Sequence, residues 1–120
     1  MSKTELAGLA PGELPLRVQK ANDYAIVLEF LDQDEQPIDA SGWTLAAQIR
    51  ETYQGALLAS FDFDQDQLDP NQIRIKLSAA QTDEIGEGTW PWDLIRTAGG
   101  PSVRTLLAGV AVVVPNATEA

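Results

Sequence analysis

The side chains best placed to do chemistry in this sequence are carboxylates and indoles, because histidine and cysteine are both absent. Without histidine there is neither the commonest general base nor the commonest neutral metal ligand, and serine-histidine catalysis is impossible. Without cysteine there is no disulfide framework, thiolate metal site or thiol nucleophile. Acid pairs could serve glycoside hydrolysis only by facing each other across a sugar-binding cleft. Here the acids fall almost wholly in turns and on polar strand faces, so the chain is expected to be no enzyme, with no catalytic residues.

Asp62, Asp64 and Asp66, at alternate positions, match the opening ligands of a calcium loop. The match then fails, since a loop begun at Asp62 places Gln67 where glycine is required and Ile73 where the bidentate glutamate belongs. Solvated acids on a strand edge explain the alternation more simply, because Phe61 and Phe63 claim the inward side. A weak calcium site drawing also on Asp32, Asp34 or Asp69 is the competing reading, and no metal or other cofactor is expected. Trp43, Trp90 and Trp92 offer stacking surface for sugars if they face solvent, and core if they do not. Trp90 and Trp92 lie on one face of one strand, opposite Thr89 and Asp93, which favours the core.

The elements that position these groups are short. Ser78 and Gln81 have capping-box spacing for one helical turn, which Gly86 or Gly88 can end with positive φ. From Gly88 the period becomes two, so Trp90, Trp92 and Leu94 project together. The same alternation marks Leu14–Lys20, an edge strand that tolerates Pro15, and Tyr24–Leu31, with Tyr24, Ile26, Leu28 and Phe30 on one face. It recurs at Trp43–Arg50, Leu57–Phe63 and Gln72–Ser78. Residues 97–102, Thr-Ala-Gly-Gly-Pro-Ser, form a hairpin loop by composition, and the return strand Val103–Val114 stops at Pro115-Asn116. This last strand is apolar on both faces, so its second face is expected to be covered by the N-terminal arm or by another subunit.

About seven short strands and one helical turn predict an all-β antiparallel sandwich, with a partly closed barrel as the alternative. No segment between strands is long enough for the crossover helix of a parallel α/β sheet. The 120 residues suit one domain, read as a flexible arm over 1–13 and a sandwich over 14–120. With 18 acidic against 8 basic residues the net charge is -10, a surface that repels phosphate backbones and anionic membranes. No apolar run is long enough to span a bilayer, and the N-terminus has no apolar core of a secretory signal.

The placing of Gly88, Trp90 and Trp92 just after a helical turn is similar to the tyrosine corner of immunoglobulin-like domains, with indole for phenol and no cysteine following. The order Tyr24–Phe30, then residues 32–43 (Asp-Gln-Asp-Glu-Gln-Pro-Ile-Asp-Ala-Ser-Gly-Trp), Ile49-Arg50, Leu77-Ser78, Thr82, Ile85, Gly88, Trp90, Trp92-Asp93-Leu94 and Leu107-Ala108-Gly109 resembles immunoglobulin-like structural domains of tailed bacteriophages. The N-terminal domain of baseplate upper proteins and tail-fibre adaptor domains are the nearest likeness, covering about Leu14 to Val114. That resemblance implies a non-enzymatic virion part, made in the host cytoplasm, that joins other tail or baseplate proteins, and the two apolar faces of Val103–Val114 add the expectation of a homo-oligomer. It brings no site residues. Val103–Val114 and Leu14–Lys20 are the expected contact strands, with the arm ordering on assembly. A carbohydrate-binding or adhesin-like module is the alternative.

Overall fold

The computed structural model describes residues 4–5, 12–98 and 102–115. The described strands are β1 (Thr4–Glu5), β2 (Gly12–Glu13), β3 (Leu16–Gln19), β4 (Tyr24–Leu31), β5 (Thr44–Arg50), β6 (Leu57–Ser60), β7 (Asp62–Asp64), β8 (Gln72–Leu77), β9 (Gly88–Ala98) and β10 (Ser102–Val114), with one helix, α1 (Ala79–Ile85), between β8 and β9. One sheet runs β1-β4-β8-β7 and the other β2-β10-β9-β5-β6, with β3 also on β10. This order has the two-sheet layout of an immunoglobulin sandwich, four strands facing a sheet in which the last hairpin is central. The all-β sandwich expected from alternation is therefore the fold.

Alternation explains the elements one by one. Ile73, Ile75 and Leu77 of β8 are buried between Arg74 and Lys76, and Leu28 and Phe30 of the neighbouring strand β4 extend the same face of the core. Ala47 and Ile49 of β5 and Trp92 and Leu94 of β9 close it from the other sheet. Ser78 caps α1 as its spacing predicts: its hydroxyl accepts from the Gln81 N–H at 3.2 Å, while the Gln81 side chain accepts from the Ser78 N–H at 2.9 Å. Gly86, at φ 84, ends the helix in a conformation that other residues adopt only under strain. The Asp23 carboxylate adds a second cap, accepting from the Ala79 N–H at 2.8 Å. Fully buried Thr82 donates to the Asn22 carbonyl at 2.8 Å and accepts from the Asn22 N–H at 3.0 Å. Both passages between the sheets at this end, the β3–β4 turn and α1, are thus stitched together.

Three features depart from the expected pattern. The segment Leu57–Phe63 is two strands in two sheets, because the chain crosses the core at buried Phe61, whose ring meets Trp92 at 5.8 Å. In β10 a register shift between Thr105 and Leu107 buries Leu106 and Leu107 in succession. The bulge reverses the inside-outside assignment beyond it, so Leu107, Ala111 and Val113 face the core and Ala108, Val110 and Val112 face out. Finally, the N-terminal strands pair in parallel, β1 with β4 and both β2 and β3 with β10, whereas the main ladders are antiparallel. Within the stretch expected as an arm, β1 and β2 are these paired segments; its other residues lie outside those described, as do 99–101 of the last hairpin loop.

Candidate interaction surfaces

The three tryptophans take three different roles. Trp92 is 2% exposed and sits at the centre of the core. A buried indole N–H needs an acceptor, and this one donates at 2.8 Å to the carbonyl of Leu14, 78 residues away. Gly109 makes that contact possible, since a Cβ there would come within 2.6 Å of the Leu14 oxygen. The paired strands β2 and β3 share one register along β10, and Leu14-Pro15 is the break between them where the carbonyl turns inward. The reason for a glycine in the valine-rich strand is this long-range contact, which local periodicity does not reveal.

Trp90 is half-buried, packs on the core and donates through its indole N–H to the Gly86 carbonyl at 3.2 Å. An aromatic after the helical corner that bonds back to backbone upstream is the arrangement of a tyrosine corner, built here with indole. Trp43, at the start of β5, meets Phe30 edge-on at 5.1 Å and carries the Arg96 guanidinium 4.6 Å above its ring. Beside it, at the end of the sandwich away from α1, lies an open cleft of about 290 Å³ lined by Trp43, Leu45, Phe63, Asp64, Gln65 and Ile73.

Two of the acids singled out in the sequence, Asp64 and Asp32, have carboxylates bonded to protein groups. Asp64 accepts from Arg74 at 2.5 Å and from Lys76 at 2.8 Å, and its carboxyl is held below the usual range, first by the Lys76 bond and opposed by partial desolvation. Asp62 stands opposite Lys76 in the ladder. The Asp32 carboxylate accepts from the N–H groups of Asp34 and Gln36, shaping the turn after β4. Asp66 donates its N–H to Asp64, and the N–H of Asp69 donates to the Gln72 side chain. Among the described residues no cluster of three or more metal-ligating side chains forms, and none of their helices is long and apolar enough to cross a membrane.

The outward faces of the two sheets differ in kind. On the four-stranded sheet the outward positions are Ala25, Val27 and Glu29, then Gln72, Arg74 and Lys76, then Asp62 and Asp64, in register across β4, β8 and β7. On the larger sheet one row crosses Gln48, Asp93, Ala108 and Glu13, and the next crosses Pro91 and Val110. Val110 is 39% exposed, Val103 60% and Tyr53, in the β5–β6 loop, 74%. Tyr53 borders two shallow grooves on this sheet, one lined by Gln48, Arg50, Pro91 and Asp93, the other, of about 250 Å³, by Gly12, Glu13 and Ala108. The described N-terminal strands lie against the edge of β10 and not over this face. The expected contact strand Leu14–Lys20 therefore blunts that edge, while none of the described residues covers the outward side of Val103–Val114. This surface was only half legible beforehand, because the bulge decides which of the two apolar faces of β10 points outward.

Neither a family model nor a curated protein matches the sequence. Among solved structures the chain is similar to the N-terminal domain of phage TP901-1 ORF48, at 15% identity and a TM-score of 0.53, over 92% of this chain and 95% of that one. It is also similar, at 10% identity and a TM-score of 0.46, over 83% of this chain and 92% of that one, to a chain from the structure of T cell specificity and activation by the bacterial superantigen toxic shock syndrome toxin-1. The first likeness shows a shared fold along nearly the whole of both chains.

Proposed function

We propose that this protein is a non-catalytic structural module of a tailed-phage virion, working in the tail, baseplate or fibre attachment through contacts with other proteins. The observation that carries the reading is the end-to-end fold likeness to a phage N-terminal domain. The internal economy of the molecule supports it. Trp92 is sealed in the core, Trp90 is tied to the helical corner, Trp43 lies under Arg96, and the Asp64 carboxylate is held by Arg74 and Lys76. The molecule's surplus of exposed apolar surface is on a sheet face, where protein partners rather than small substrates bind.

Co-expression of the chain with the products of neighbouring genes, followed by size-exclusion chromatography, tests this reading. Co-elution with at least one tail or baseplate protein is the expected result. A chain that elutes apart from every such product, in a host making intact particles that lack it by mass spectrometry, would overturn it. Tryptophan emission addresses the carbohydrate alternative, and glycans are expected to leave it unshifted.

A further inference from the structure

Resting on that reading, we infer that the outward face of the six-stranded sheet is the seat of a second copy of this chain, docked face to face about a two-fold axis. The face is large, uncovered among the described residues, and carries an apolar strip beside the row of Gln48, Asp93 and Glu13. Val110, Ala108 and Pro91 form its floor, Tyr53 rises at one side, and Val103 extends it along β10. Five strands abreast at ~4.8 Å, over the roughly 30 Å that β9 runs, give a face on the order of 700 Å². A stable interface takes about 800 Å² from each partner, so this one face with its Tyr53 rim is of the right size.

Charge selects the occupant. The chain bears a net -10, so most of its surface repels a second copy. The outward positions of this face hold Glu13 and Asp93 against Arg17 and Arg50. Two acids balance two bases there, and the whole net charge is carried by the rest of the chain. A basic partner would gain more from the acidic turns elsewhere, and a strongly acidic one would gain nothing from a balanced face. A second copy presents the same balance, with Arg17 and the two acids placed to pair across a two-fold in an isologous contact while Arg50 is held by the Gln48 side chain and the Gly55 carbonyl. The sequence requirement that both faces of β10 be covered points the same way, since the described N-terminal strands occupy only its edge.

Light scattering on the eluting full chain reads the result directly. At sub-millimolar concentration the wild type is expected at about twice the 13.0 kDa of one chain. Val110→Arg and, independently, Tyr53→Ala are expected to halve that mass while circular dichroism and melting stay those of the folded protein. Val27→Glu, on the outward face of the other sheet and opposite Arg74, is expected to leave the doubled mass intact. Tyr53 is in an exposed loop, so its variant decides the matter even if Val110→Arg folds poorly. A wild type at single mass, or a doubled mass that survives both substitutions on this face, overturns the inference. Either result leaves co-elution with tail or baseplate proteins free to succeed or fail on its own.

Discussion

The two sheets share one core yet solve opposite problems on their outer sides. The four-stranded sheet satisfies itself: Asp64 is clasped by Arg74 and Lys76, Asp62 stands opposite Lys76, and Glu29 takes a bond from Gln72 at 3.4 Å. The six-stranded sheet places Ala108, Val110 and Pro91 where the other places its ion pairs. Its inner side is also the more demanding, with a buried indole whose only polar atom is answered by backbone from the far end of the sequence. A sheet whose outer polar groups answer one another has little left to offer a partner. One that sets an apolar strip among balanced charges keeps a surface that a partner can cover.

The contrast can be tested by breaking each side in turn. Trp92→Ala, in the inner side of the larger sheet, should cost about 3–5 kcal/mol, as large-to-small aromatic changes in cores do. Chemical denaturation would show it as a lowered midpoint with the slope retained. Gly109→Ala should cost about 1–3 kcal/mol by forcing the Leu14 carbonyl away, and faster hydrogen exchange at Leu16–Gln19 than at β8 would show that the damage is confined to the N-terminal pairing.

On the smaller sheet the effects are electrostatic and weaker. Lys76 holds the Asp64 carboxyl below its ordinary value, so the pair contributes in full above about pH 4 and its contribution fades as pH falls through the lower folded value. Asp64 in turn holds the Lys76 ammonium above its ordinary value, so on the alkaline side the contribution persists to about pH 10 and is lost as pH rises through the higher folded value. Asp64→Asn should flatten both limbs of a plot of melting temperature against pH. Burial pushes the Tyr24 hydroxyl up to about 12, so its phenolate absorbance should appear only near that pH while the fold persists. Smallest of all should be the effect of Val27→Glu, opposite Arg74, on stability, within about 0.5 kcal/mol as for most surface changes.

How much could be read in advance also divides along the two sheets. β4 and β8 follow from alternation alone, and α1 from Ser78, Gln81 and Gly86, because those signals act within a few residues. The six-stranded sheet is less transparent. Leu57–Phe63 reads as one strand, since period two continues unbroken while the chain changes sheets at Phe61. In Val103–Val114 both faces are apolar, so only the bulge at Leu106, fixed by pairing with β9, tells inside from outside. Nothing near Leu14 announces that its carbonyl answers Trp92, and nothing near Gly109 announces the close approach that excludes a side chain there. Of the candidate acids, Asp32 shapes a turn and Asp64 pairs with Arg74 and Lys76, partners that alternation along the sequence does not name. Tyr53 carried no signal, because its position over the sheet depends on how the β5–β6 loop lies.

The Leu14–Trp92 bond ties together two parts of the chain made at very different times. During synthesis, residues 12–19 emerge early and have no ladder to join until β10, almost a hundred residues later, leaves the ribosome. Until then the nascent chain carries a half-built sheet with β9 unprotected along one side, a state prone to mispairing with its neighbours. Maturation should therefore be slow for a domain of this size, with a late, concerted closing step in which β10 gives β2 and β3 their place.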